Sequence, residues 1–265
     1  MYQSFYSLAH TPFTKDVETS KAFESDAYKE AIARLEYLKK TGGMGLLTGE
    51  PGTGKTFTLR SFQSALNPAL YHVVYFPLST GSVMDFYRGL VYGLGDEPKF
   101  RKVDLFRQIQ SAVERLKEER NVTPVFLLDE MHMAKDAFLN DLSILFNFSM
   151  DSKNPFLLIL AGQPHLRAKL RLNQNRALAQ RLVMRYQMAP LTKEEVIQYV
   201  DHHLTNAGAK VPIFNEAALE ALGSSSQGWP RIINTMATNC LLLGYQMKRD
   251  IIDEEVVRLV DEEGA

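Results

Sequence analysis

Gly49-Glu50-Pro51-Gly52-Thr53-Gly54-Lys55-Thr56 satisfies the pattern G-x-x-x-x-G-K-[ST] at every fixed position. The preceding residues, Met44-Gly45-Leu46-Leu47-Thr48, are short and apolar, as in a buried strand. The following residues, 57–66, read as a helix with Phe57, Leu59, Phe62 and Leu66 as candidate apolar-face positions. Strand, glycine loop and helix are the context in which this pattern binds phosphate. The glycines let backbone N–H groups turn inward around a polyphosphate, and the helix start adds partial positive charge. The expected nucleotide-binding set is therefore Gly49, Glu50, Pro51, Gly52, Thr53, Gly54, Lys55, Thr56 and the adjoining Phe57. Lys55 is expected at the β- and γ-phosphates of ATP, and the Thr56 hydroxyl on Mg²⁺.

A second stretch completes this chemistry. Pro124-Val125-Phe126-Leu127-Leu128 is continuously apolar, as in a strand covered on both faces, and ends in Asp129-Glu130. The carboxyl ends of strands are where open α/β sheets bind ligands. Asp129 is expected to hold Mg²⁺, directly or through water, and Glu130 to polarise the water that attacks the γ-phosphate. A third apolar run, Phe156-Leu157-Leu158-Ile159-Leu160-Ala161, ends at Gly162-Gln163-Pro164. There Gln163 either touches the γ-phosphate or the attacking water, or is a turn amide.

Two further strands are expected, one in the β-branched and aromatic run 70–78 and a shorter one over 185–190. Helices alternate with them over 25–40, where Asp26 can cap, over 82–94, where Ser82 can cap, and over 103–120. Alternation of this kind implies an α/β fold with a doubly wound, parallel, five-stranded sheet. Beyond Leu191 strand signals stop, and 193–207, 215–222, 230–245 and 253–261 read as helices. The expected domains are an α/β nucleotide-binding domain, 1–191, including an aromatic N-terminal arm, and a small all-α lid domain, 192–265.

The 265 residues carry 30 Lys and Arg against 31 Asp and Glu, so no global field draws the chain to nucleic acid or acidic membranes. Cys240 is the single cysteine, which excludes an internal disulfide and a thiolate metal cluster. No stretch approaches the ~20 apolar residues of a membrane span, and 1–15 lacks the features of a signal peptide. A cytoplasmic protein without membrane contact is the expectation.

With these residues in view, the chain resembles the AAA+ ATPases. More narrowly it resembles the ExeA-type group, which also covers transposition regulators of the TnsC, TniB and IstB kind. The likeness rests on the arm with Phe5, Pro12 and Phe13, the loop Gly49–Thr56, Leu127-Leu128-Asp129-Glu130, Gly162-Gln163-Pro164 and Gly228-Trp229-Pro230-Arg231. The resemblance implies that Gln163 is the polar sensor ending the fourth strand and that Arg231 senses phosphate from the lid. It also implies that Arg181 is the arginine finger serving a neighbouring subunit, with Arg176 and Arg185 as alternatives. Phe13 either borders the adenine or packs in the core. ATP then favours assembly into rings or helical filaments, and hydrolysis loosens them.

The work of such an assembly is less legible. Residues 152–193 contain no Asp or Glu but eight basic side chains, a stripe suited to subunit contacts or phosphates. Ser79, Thr80 and Ser82, with Lys99, Arg101 and Lys102, suit sequence-independent contacts to DNA phosphates. The subgroup resemblance implies a helper that assembles on double-stranded target DNA and recruits or activates a DDE-type transposase. The alternatives are an ExeA-like secretion ATPase, although that type continues into a membrane span and a wall-binding region, and a helicase-loader-like ATPase.

Overall fold

The computed structural model describes residues 2–14, 16–77, 82–148 and 153–264. They form two compact units: Glu30–Glu50 with Lys55–Met188, and Met1–Lys29 with Pro51–Gly54 and Ala189–Ala265.

The first unit is built on five parallel strands, β1 (Gly43–Thr48), β2 (Tyr71–Pro77), β3 (Thr123–Asp129), β4 (Leu157–Gly162) and β5 (Leu182–Gln187), in the order β2-β3-β4-β1-β5. The continuous apolar runs follow from the twofold alternation of a strand covered on both sides. On β3, Phe126 and Leu128 enter one core while Val125 and Leu127 enter the other. On β4, Leu158 and Leu160 face the first core and Leu157, Ile159 and Ala161 the second. The first core is closed by α4 (Val83–Gly93), α5 (Lys102–Glu114), α6 (Asp136–Leu145), α7 (His165–Arg171) and α8 (Arg176–Gln180). The second is closed by α2 (Asp26–Thr41), through Ala31, Leu35 and Leu38, and by α3 (Lys55–Ala65), through Leu59 and Phe62.

Several boundaries differ from those read in the sequence. The fifth strand starts at Leu182, not Arg185, and ends before Pro190. Its inward residues are Leu182 and Met184, whereas Val183 and Arg185 lie on the exposed face of an edge strand. Helix α2 begins at Asp26, and its first turn is held by Ser25, whose hydroxyl accepts the Tyr28 N–H at 3.2 Å. The 103–120 helix gives way to a π-helical turn, Arg115–Glu119. Ser82 does cap α4, in a reciprocal capping box with Asp85.

The second unit is helical: α1 (Tyr2–Phe5), α9 (Lys193–Asn206), α10 (Glu216–Ser226), α11 (Pro230–Gln246) and α12 (Glu254–Gly264). Thr192 and Glu195 form a capping box at α9, Asn215 caps α10, and Pro230 occupies the first position of α11. The sequence reading groups the N-terminal arm with 1–191, but its apolar side chains are buried in this helical core. Tyr6, Leu8 and Phe13 pack with Val196, Tyr199, Ile233 and Val257, and the Tyr6 hydroxyl donates to the Arg249 carbonyl at 3.0 Å. Gly228 turns the chain from α10 into α11 at φ +73°, and a Cβ there would lie 2.1 Å from the Leu191 carbonyl oxygen. No described helix is long and apolar enough to cross a membrane.

Candidate nucleotide site

Sheet order brings the two motifs together. β4 lies between β1 and β3, so the phosphate loop after β1, the acid pair after β3 and Gln163 after β4 share one end of the sheet. The loop is tied to its neighbour where the Gly49 N–H donates to the Gly162 carbonyl at 3.2 Å. Gly52 and Gly54 have φ of +88° and +94°, backbone geometry that exposes N–H groups in succession. Lys55 opens α3 and is buried, its Nζ donating to the carbonyls of Gly49 at 2.8 Å and Glu50 at 3.0 Å. The ammonium is thus held under the arch of the loop.

The acid pair splits into an inner and an outer carboxylate. Asp129 is 1% exposed. Its Oδ2 accepts the Thr56 hydroxyl at 2.7 Å and the Tyr75 hydroxyl at 3.5 Å, and its Oδ1 accepts the Glu130 N–H at 2.8 Å. Burial, then the Asp129 charge, pushes Tyr75 up to about 12, so its hydroxyl remains a donor. Glu130 sits at φ +56°, unusual for a residue with a side chain, and its carboxylate is half-exposed where that of Asp129 is buried. His132, in the turn Met131–Met133, brings Nδ1 to 3.3 Å from Glu130 Oε2. Burial pushes its pKa down, opposed by the Glu130 charge.

The donor set fits Mg²⁺ and a polyphosphate. A hydroxyl and a carboxylate, already in contact through Thr56 and Asp129, are the hard oxygen ligands Mg²⁺ takes. The loop amides and Lys55 are the groups a phosphate chain needs.

The other expected site residues differ in their surroundings. Gln163 is partly exposed just past β4, its carbonyl accepting the Leu166 N–H at 3.0 Å. Phe13 is 8% exposed in the helical core, its ring 5.8 Å from that of His203, and packing accounts for it. Phe57 is half-buried with the Arg60 guanidinium 5.2 Å above its ring. Arg231 is exposed at the start of α11, and its N–H donates to the Gly52 carbonyl at 3.3 Å. Arg181 donates to the carbonyls of Ser143 and Phe146, both at 2.8 Å, and so satisfies the end of α6 in its own chain. Arg185 donates to the Ala179 carbonyl. Arg176 is exposed; its backbone N–H donates to the Asn173 carbonyl, while its guanidinium makes no hydrogen bond or ion pair among the described residues.

Of the expected DNA contacts, Ser79 and Thr80 lie outside the described residues. The Ser82 hydroxyl is engaged with Asp85, a carboxylate that would repel phosphate. Lys102 pairs with Asp141 at 2.7 Å and lies 5.5 Å from the Tyr87 ring centre. Lys99 and Arg101 are exposed and flank Phe100, itself 87% exposed. Gln108 pins this loop, donating to the Glu97 carbonyl and accepting the Lys99 N–H, each at 2.9 Å.

Sequence reasoning missed Tyr75 and His132. Tyr75 reads as an ordinary strand aromatic; the β2–β3 register pairs it with Leu127, two residues before Asp129, and only the fold brings its hydroxyl to that carboxylate. His132 carried a signal, an ionisable ring two residues after Glu130.

Residues 38–170, half of the chain, match the AAA domain family. The chain belongs to this family. The AAA chain is similar to general secretion pathway protein A of Aeromonas hydrophila, 33% identical over 251 residues. That match covers 92% of this chain but 45% of the relative, so the chain spans less than half of the curated protein it matches. Among solved structures, Cdc6p of Pyrobaculum aerophilum superposes with a TM-score of 0.73 at 17% identity, covering 95% of this chain and 70% of that one. Aeropyrum pernix ORC1, solved in complex with DNA, gives 0.69 at 13% identity, covering 95% and 68%. The Thermotoga maritima RuvB branch migration motor gives 0.57 at 19%, covering 95% and 72%. At these identities the structural likeness establishes the fold, that of AAA+ ATPases: a five-stranded P-loop sheet followed by a helical region.

Proposed function

We propose that this AAA chain hydrolyses ATP with Mg²⁺ and uses the reaction to control its own assembly. The observation that carries this is the part-buried Thr56–Asp129 hydrogen bond of 2.7 Å, its carboxylate buried, beside the buried Lys55 and followed at once by the half-exposed Glu130 carboxylate. Thr56 and Asp129 hold the metal, Lys55 and the loop amides bind the β- and γ-phosphates, and Glu130 orients water and accepts its proton. When bound, Mg²⁺-ATP supplies the phosphoryl group, its charge partly neutralised by the metal. Gln163 lies at the same sheet end and suits the sensor role. Arg231, bonded to Gly52 through its backbone, is the proposed phosphate-sensing arginine.

For the group supplied by a neighbouring subunit, Arg176 is favoured over Arg181 and Arg185, which are spent on carbonyls of their own chain. A guanidinium reaching across a head-to-tail interface makes assembly depend on the γ-phosphate.

The proposed work is sequence-nonspecific assembly on double-stranded DNA, as a helper that recruits or activates a transposase. Lys99 and Arg101 on a pinned loop, and fold relatives that include a DNA complex, support the DNA half of this reading. The transposase half rests on the subgroup resemblance. A second reading, an ExeA-like secretion ATPase, is favoured by the 33% identity to general secretion pathway protein A.

Electron microscopy with a slowly hydrolysed ATP analogue, with and without random duplex DNA, separates them. Assemblies that require both nucleotide and DNA support the first reading. Nucleotide-dependent assemblies indifferent to DNA overturn it in favour of the second.

A further inference from the structure

The turn after the acid pair is more constrained than a connection to α6 requires. Met131 is wholly buried, the Met133 N–H donates to the Glu130 carbonyl at 3.0 Å, and Glu130 holds its left-handed φ. Gly162 makes room for this turn: a Cβ there would come within 2.9 Å of the His132 backbone nitrogen and 3.5 Å of its Cβ. His165, at the start of α7, braces the imidazole edge to face with ring centres 5.1 Å apart at 87°. All of this fixes one ring. Its Nδ1 is fully buried, makes no aligned hydrogen bond among the described residues, and lies 3.3 Å from Glu130 Oε2. A buried polar atom left in this way calls for an explanation, and hydrogen bonds of catalytic groups often align only once substrate is bound.

We propose that His132 is a positioning residue for Glu130, its Nδ1–H holding the carboxylate in the orientation that activates water. This rests on the ATPase reading above. The charged and titratable groups around the ring are Glu130, Asp129, Lys55 and His165, and burial keeps it a neutral donor. A modest rotation of the Glu130 side chain completes the bond. One Glu130 oxygen then remains for water.

Three variants of the full chain, compared by steady-state ATPase kinetics, nucleotide binding and thermal stability, test the proposal. His132→Asn places an amide N–H near the position of Nδ1, whereas His132→Gln reaches the position of Nε2, and His132→Phe keeps only the ring. Gln and Phe are expected to lower kcat roughly 10–100-fold, the scale of a small misplacement of a reacting group, with KM and Tm little changed. Asn is expected to recover most of the rate. On a Glu130→Gln background, Phe at 132 should lower the residual rate no further, because the residue acts through Glu130.

Wild-type kcat in both Gln and Phe variants, with Glu130→Gln inactive, overturns the proposal and leaves the ATPase reading standing. So does an Asn variant as slow as the other two, or a loss that adds to Glu130→Gln. Full turnover by Glu130→Gln itself removes both the proposal and the reading beneath it.

Discussion

The two units bury polar groups in opposite ways. At one end of the α/β sheet, Lys55 and Asp129 are buried with their charges, the ammonium on the Gly49 and Glu50 carbonyls and the carboxylate on the Thr56 hydroxyl. In the helical unit the buried polar side chains among the described residues are uncharged: Ser25, Thr53, Ser226 and a His203 whose burial pushes it down to about 4. Burying a charge costs far more than burying a neutral polar group unless it is paired. The difference teaches where selection for chemistry acts: the sheet end tolerates a costly arrangement that the helical core avoids.

The largest expected effects lie at the sheet end. Glu130→Gln should reduce turnover by about 10²–10⁴-fold, the range for removal of a general base, while nucleotide binding and Tm hold. Lys55→Ala should weaken ATP binding by about 10²–10³-fold, as expected from losing one preorganised charged donor, again without unfolding. Titration with a fluorescent nucleotide checks the second and phosphate release checks the first. Normal binding by the Lys55 variant would erase the contrast, since the buried lysine would then be structural.

In the helical unit the matching experiment should do the reverse. Gly228→Ala sets a Cβ 2.1 Å from a backbone oxygen at φ +73°, and neither can move cheaply. Backbone strain of this kind costs about 1–3 kcal/mol before the steric clash is counted. Denaturant unfolding should show the loss, and an unchanged midpoint would mean the turn relaxes freely.

The contrast also bears on what the sequence can say. The phosphate loop and acid pair were legible because their chemistry depends on local spacing, and the apolar runs of β3 and β4 because both faces of those strands are covered. The edge strand β5 was misplaced because its face alternates and its polar half mimics a loop. The arm was legible as ordered but not as part of the helical core, since contacts such as Tyr6 to Arg249 span most of the chain. His132 and Arg181 show the same limit. His132 went unread and Arg181 was read as an arginine before a strand; only the fold reveals that the ring's Nδ1 lies 3.3 Å from Glu130 Oε2 and that the guanidinium closes α6.

A smaller effect sharpens the comparison from the acid side. His203 titrates near 6.5 when unfolded and about 4 when folded, because burial first, and then His202, disfavours its charged form. The unfolded chain therefore binds the extra proton first. Stability from this group is complete above pH 6.5 and lost as pH falls to 4, by about 3 kcal/mol at most. His203→Phe should flatten the urea midpoint across that window, and an acid slope equal to wild type would show that other groups govern it.

The smallest expected effect separates two arginines, five residues apart, between which the sequence left the finger open. Arg181→Ala leaves the Ser143 and Phe146 carbonyls without their donor and should cost about 1–3 kcal/mol of stability. Arg176→Ala removes an exposed side chain and should leave Tm unchanged while lowering turnover of the assembly. Mixing decides the matter. An Arg176→Ala subunit still binds ATP, and a Lys55→Ala subunit still offers its arginine, so mixed assemblies should regain activity that neither variant has alone. If mixing restores nothing although mixed assemblies form, the guanidinium that crosses the interface is another one. The free arginine would then be a solvated surface residue, and the division between charges kept for chemistry and charges spent on structure would have to be drawn elsewhere along α8 and β5.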